Sequence, residues 1–139
     1  MTHSLLYLAC PYSNHPAGVE VAFDRVTKEA ARLCKAGIPV FSPLTQGHTL
    51  FTTGGLVWDA KEWLSFDLLF AECCFGLIVL MEPSWQESRG VQIEMEWFLD
   101  KGRPVFFRHC GQHLTGLLAV INERALVAAQ SGLGHARKG

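Results

Sequence analysis

The chain is predicted to fold as an α/β domain in three layers, flavodoxin- or Rossmann-like, with helices on both faces of a four- or five-stranded parallel sheet. Three observations lead there. Short apolar runs alternate with segments whose apolar residues recur at helical spacing, the order that strand–helix–strand crossovers produce. The run Gly76-Leu77-Ile78-Val79-Leu80 shows no polar alternation, as a strand covered on both faces requires. Finally, 139 residues, 49% of them hydrophobic, suffice for one core and not for two.

The elements follow in order. Leu5 to Ala9 is an apolar run ended by Cys10-Pro11, a buried first strand. The loop Pro11 to Pro16 leads into a helix from Val19 to Ala36, with Ala22, Val26, Ala30 and Leu33 as its apolar stripe. Lys28, Glu29, Arg32 and Lys35 are assigned outside that stripe, and Gly37 stops the helix. Ile38 to Phe41 is a second strand. Ser42 to Leu56, with Pro43, Gly47 and Gly54-Gly55, reads as a long loop of the lid or binding kind. A helix over Val57 to Ala71 precedes the central strand, and Met81 to Arg89 is a loop. A helix from Gly90 to Lys101, a strand from Pro104 to Phe107 and a helix from Leu114 to Ala129 complete a single domain over 1–139, with 131–139 as a flexible tail. A parallel sheet of this kind binds ligands beyond the carboxyl ends of its strands, so the loops at 10–16, 42–56 and 81–89 should share one edge.

Composition excludes several function classes. A net charge of −1 provides no field for a nucleic-acid polymer or a bilayer. No apolar run approaches the length of a spanning helix, and Met1-Thr2-His3-Ser4 lacks the pattern of a signal peptide. A cytoplasmic protein is expected. The five cysteines, an odd number with Cys73 and Cys74 adjacent, fit free thiols rather than a disulfide framework. Cys10 has no Cys–His–Asn pattern to make it a nucleophile. His109, Cys110 and His113 lack a fourth ligand, so no metal site is assigned.

Two carboxylates stand out. Asp67 lies on the helical row Ala60, Leu64, Asp67, Ala71, and Glu94 on the row Gly90, Glu94, Trp97, Phe98. Both rows turn toward a core, where an acid costs several kcal/mol unless it is paired, hydrogen-bonded or opened onto a cleft. Their two helices bracket the central strand, so both acids can serve one crevice. The alternative is a structural pairing of each acid with Arg25, Arg89 or Arg103. If the helix is straight from Val57, Asp67 lies too deep, and either a break near Leu64-Ser65 or a bend that brings Asp67 to the strand ends is required. Ser88 precedes a helix start, where it either caps free N–H groups or leaves them to an anion. Gly90 allows a ligand near the backbone. Tyr12 and Trp85 either stack on a nucleobase or pack as core, and His48 either lines the cleft or sits exposed in its loop. Trp58, Trp63 and Phe66 read as core or interface residues, and the surplus of aromatics on that helix points to a homo-oligomer.

Ser88-x-Gly90-Val91-x-x-Glu94, following an apolar strand with Asp67 a helix and strand upstream, resembles the nucleoside 2-deoxyribosyltransferase superfamily, which includes the 2′-deoxynucleoside 5′-phosphate N-hydrolases. Tyr7-Leu8-Ala9-Cys10-Pro11-Tyr12-Ser13, Phe41-Ser42-Pro43 with His48, and Trp63-x-x-x-Asp67 through Trp85-x-x-Ser88 look like an uncharacterised bacterial and phage branch described as a domain of unknown function. The resemblance covers roughly residues 4 to 108. It implies that Glu94 attacks C1′ and expels the base. Asp67 would transfer a proton or orient the sugar and nucleophile, Tyr7 would contact the sugar near C2′ and the nucleophile, and Ser88 would hold the 5′ end or its phosphate. The loop after the first strand lacks the arginine of the nucleotide hydrolases, although Ser13, His15, Ser88 and Arg89 offer other phosphate ligands. The expected activity is cleavage of an N-glycosidic bond in a nucleoside or nucleoside 5′-monophosphate, with no cofactor. Two alternatives are a non-catalytic nucleotide-binding module and hydrolysis of another ribosyl bond.

Overall fold

The computed structural model describes residues 5–138. Four strands form one all-parallel sheet in the order β2-β1-β3-β4: β1 (Leu6–Ala9), β2 (Val40–Phe41), β3 (Gly76–Leu80) and β4 (Val105–Arg108). Five helices accompany it: α1 (Val19–Lys35), α2 (Pro43–Thr52), α3 (Ala60–Ala71), α4 (Arg89–Asp100) and α5 (Leu117–Lys138). Side chains alternating along β1 and β3 feed two cores. Leu6, Leu8, Ile78 and Leu80 meet Val26 and Leu33 of α1 and Ile121 of α5. Tyr7, Ala9, Leu77 and Val79 meet Ala71 of α3 and Val91 and Phe98 of α4. This is the three-layer α/β arrangement read from the alternation of elements. Strand order reverses between β1 and β3, which puts the switch-point crevice beyond Ala9 and Leu80.

Gly76 is dictated by that packing. A Cβ there would lie 2.8 Å from the carbonyl oxygen of Pro104 and 3.3 Å from Leu6, so β3 can enter the sheet centre only without one.

Three expectations need correction. The stretch Ser42 to Leu56 is not a lid loop but chiefly helix α2. Ser42 Oγ accepts the Thr45 N–H at 3.4 Å, and Pro43 occupies the first turn, where no N–H partner is needed. Gly47 sits inside the helix, where a Cβ would meet the Trp63 ring at an ordinary contact distance of 3.4 Å. Second, Glu29 belongs to the buried face of α1 with Ala22, Val26 and Leu33. It is 2% exposed and meets Arg108 Nη2 at 3.4 Å, Arg32 Nη1 at 3.3 Å and the Gly111 N–H at 3.0 Å. Third, α3 is unbroken and begins at Ala60, with Asp59 Oδ1 accepting the Glu62 N–H at 2.8 Å, so no kink at Leu64-Ser65 is present. At the far end, α5 carries helical backbone through Lys138, past the expected end at Ala129.

Candidate functional site

A cleft of about 850 Å³ opens at the carboxyl edge of the sheet. The loop after β1 contributes Cys10, Tyr12, Ser13 and Asn14; α2 contributes Gly47 and His48; the start of α4 contributes Ser88, Arg89, Gly90 and Glu94. The wall formed by α3 carries Ala60, Lys61, Trp63, Leu64 and Asp67. The cleft runs along α3 instead of ending at its tip. The helical row that contains Asp67 therefore lines it without any bend, and only Ala71, the last of the row, enters the core.

Asp67 and Glu94 share this cleft, and among the described residues no arginine forms an ion pair with either. Arg25 holds Glu82 through Nε and, at 2.9 Å, through Nη2. Arg103 donates to the carbonyl oxygens of Ala71 at 2.9 Å and Cys74 at 3.0 Å, closing the end of α3. Among the described residues, the ion pairs of Glu29 and Glu82 have no counterpart at Asp67 or Glu94. Burial, and for Glu94 also the charge of Asp67, penalises ionisation. Burial pushes the Asp67 carboxyl up to about 7. It pushes the Glu94 carboxyl up to about 8, with Asp67 adding to the rise and Tyr7 partly offsetting it. Burial alone would raise the Glu82 carboxyl, but the hydrogen bonds from Arg25 and His15 and the charge of Arg25 win and hold it below its usual range.

Tyr7, 0% exposed on β1, lies beneath the cleft with its ring against Phe98 at 5.6 Å. Its hydroxyl has no hydrogen-bond partner among the described residues, although it lies close enough to Glu94 to favour the carboxylate. An unpartnered buried hydroxyl costs about 1–3 kcal/mol. Burial and the two acids also keep Tyr7 protonated, by raising its pKa well above the ordinary tyrosine value. This is a donor held ready beside a carboxyl group.

Ser88 is the N-cap of α4, its Oγ accepting the Val91 N–H at 3.4 Å, and it also faces the cleft. Gly90 has no protein atom within 4 Å of where a Cβ would stand, so its face is open to a ligand. Ser13 lines the cleft. His48 is 5% exposed rather than a solvent-facing loop residue. Trp85 does not join this cleft. It packs at 5.6 Å from Phe107 and lines a neighbouring depression with Arg25, Glu82 and Cys110. Ser84 in that loop has a positive φ of 75°, and Asn14 Nδ2 donates to its carbonyl oxygen at 3.0 Å. His15 is likewise committed to Glu82, at 3.3 Å. Burial raises the Cys10 thiol pKa far above its normal range, which disfavours a thiolate. Among the described residues no group of three His, Cys, Asp or Glu side chains is arranged to hold a metal ion.

The sequence reading missed Lys61 as a cleft residue and Glu20 as a partner of His48. Lys61 stands next to Ala60, at the edge of the row of Asp67, a signal that was available. Glu20 sits in the first turn of α1, and only folding brings it to α2. No described helix is long and apolar enough to cross a membrane.

A search of curated proteins finds no match. Comparison with protein families matches residues 4–109 to a domain of unknown function. That span holds every described strand and helices α1 to α4 but none of α5 (Leu117–Lys138), and it includes Tyr7, Asp67 and Glu94. The chain therefore belongs to the family described as Domain of unknown function (DUF1937).

Proposed function

We propose that this protein cleaves the N-glycosidic bond of a nucleoside or nucleoside 5′-monophosphate, with Glu94 as nucleophile. The observation that carries the reading is two carboxyl groups, raised to about 7 and about 8, lining one cleft above a buried tyrosine hydroxyl, with no cationic partner for the acids and no hydrogen-bond partner for the hydroxyl among the described residues. Perturbed, unpaired acids in a cleft are a functional signature, and Glu29 with its two arginines shows what a structural acid looks like in the same chain.

The chemistry follows from charge. Departure of a base leaves positive charge on C1′ and the ring oxygen, and a carboxylate beneath C1′ stabilises and then captures it. Glu94 must first lose its proton. Asp67 takes that proton or orients the sugar, and the Tyr7 hydroxyl donates to the carboxylate so formed. Ser88, Arg89 and Ser13 receive the 5′ end, hydroxyl or phosphate. Water or a second base then releases the sugar from Glu94, with retained configuration. The resemblance of Ser88-x-Gly90-Val91-x-x-Glu94 to the deoxyribosyltransferase pattern supports the same assignment.

The test is base release, followed by chromatography, from a panel of deoxynucleosides and their monophosphates. Wild type is expected to release base and Glu94→Ala is expected to lose that activity. A non-catalytic binding module would instead bind a nucleotide as tightly with Glu94→Gln as with wild type, and produce no base over hours.

A further inference from the structure

We propose that Tyr12, backed by His48 and Glu20, is the acid that protonates the leaving base and then the base that activates the incoming group. This inference rests on the glycosidase reading. Three elements build the chain: Tyr12 lies in the loop after β1, His48 on α2 and Glu20 in the first turn of α1. Tyr12 Oη is 2.6 Å from His48 Nδ1, and His48 Nε2 is 3.2 Å from Glu20 Oε2. The imidazole is stacked on Phe23 at 4.4 Å, which fixes the plane in which both nitrogens point. Tyr12 and His48 both face the cleft that holds Glu94.

Hydrogen-bond polarity gives the chain its direction. A carboxylate only accepts, so Glu20 receives the Nε2–H of His48. Neutral His48 then offers the lone pair of Nδ1 to the Tyr12 O–H. When His48 is an imidazolium, Nδ1–H donates to Tyr12 Oη instead, and the Tyr12 O–H is released toward the cleft as a donor. The Glu20 carboxylate stabilises that imidazolium, although its side chain is 76% exposed, so its share is the smallest of the three.

The proton and electron balance closes. As Glu94 bonds to C1′, the electron pair of the glycosidic bond passes to the base. A base nitrogen takes the Tyr12 proton, Tyr12 Oη takes the Nδ1 proton, and His48 becomes neutral. In the second half, water attacks C1′ and the ester bond to Glu94 breaks. The water proton goes to Tyr12 Oη, while the Tyr12 proton returns to Nδ1. The imidazolium is restored and nothing external is consumed. Asp67 is thereby left to the nucleophile and the sugar.

A leaving-group comparison tests this. 2′-Deoxyguanosine leaves as an anion unless protonated, whereas 7-methyl-2′-deoxyguanosine carries its positive charge beforehand and needs no acid. For Tyr12→Phe the loss of kcat on 2′-deoxyguanosine should exceed the loss on the methylated substrate by about a hundredfold, the usual size of general acid catalysis. His48→Gln should show the same split, and Glu20→Gln, at an exposed position, a smaller one in the same direction. Equal losses on both substrates in Tyr12→Phe and Glu20→Gln would make the chain a structural or binding device and overturn the inference, leaving the glycosidase reading intact. Wild type that releases base from neither substrate overturns that reading and this inference together.

Discussion

Replacing Glu94 with glutamine should make the protein more stable at neutral pH while removing its activity. Glu94 is 8% exposed and carries a carboxyl raised from an ordinary 4.5 to about 8. The sign follows from proton linkage. Between those two values the native state keeps its proton while the unfolded chain releases its own, so the native state loses ground as pH rises. The contribution is fully favourable below the unfolded value of 4.5 and is lost as pH climbs through about 8. At 1.36 kcal/mol per tenfold change in proton activity, the ceiling is about 5 kcal/mol above that range. At pH 7, allowing for relaxation and water entry, about 2–3 kcal/mol is expected. Glutamine copies the protonated form at every pH, and its amide can donate to the unpartnered Tyr7 hydroxyl. Urea unfolding of wild type and Glu94→Gln at pH 5, 7 and 9 measures the effect. The two proteins should be nearly equal at pH 5 and diverge steadily above it, the variant being the more stable. If the variant is equally or less stable at every pH, Glu94 is a satisfied structural acid and the functional argument fails.

Three further outcomes are expected. Tyr7→Phe removes the orphaned hydroxyl, so its thermal unfolding temperature should rise, by an amount corresponding to about 1–2 kcal/mol, while base release falls; a lower unfolding temperature would mean the hydroxyl has a partner. Glu82→Gln breaks the contacts with Arg25 and His15 and should destabilise by about 2 kcal/mol in urea, less than a fully buried pair because the Arg25 side chain is 44% exposed. Because the Glu82 carboxyl is held below 4.5, that stabilisation is present above this value in wild type and disappears as the pH falls below it. A profile of kcat/KM against pH should be bell-shaped with its maximum between about 7 and 8, since Glu94 must be ionised and the carboxyl of Asp67 helps when protonated. Asp67→Asn should flatten its alkaline limb, and an unchanged limb would remove Asp67 from the chemistry.

Several of these residues were visible before folding, and the reasons are local. Asp67 and Glu94 betrayed themselves as acids at helical spacing among apolar residues, because helix periodicity alone decides which face meets the core. The same rule, applied to α1, points to Glu29, which the sequence reading had put among the solvent-facing charges. An acid on a stripe is thus legible, but its fate is not: Glu29 meets Arg108 from β4, whereas Glu94 meets no arginine, and nothing local foretells which. Helix α2 was obscured by Pro43 and Gly47. The proline is harmless at the first turn, and a single glycine inside a helix costs only about 1 kcal/mol relative to alanine, so neither ends the helix. Ser88 was read correctly as a possible cap because capping is a contact over three residues. For Trp85 the packing alternative is the one the structure shows, because the course of its loop depends on distant ties such as Asn14 to the Ser84 carbonyl.

By itself the sequence determined the alternation of strands and helices, the buried central strand and the two acids on apolar faces. These depend on periodicity and on backbone chemistry over a few residues. Only the tertiary structure decided that the cleft runs along α3, that Arg25 and Arg103 are occupied elsewhere, and that Glu20, His48 and Tyr12 meet. Charge pairing and hydrogen bonding act between side chains brought close in space, across separations of 28 and 36 residues in that last case, so no local pattern can record them.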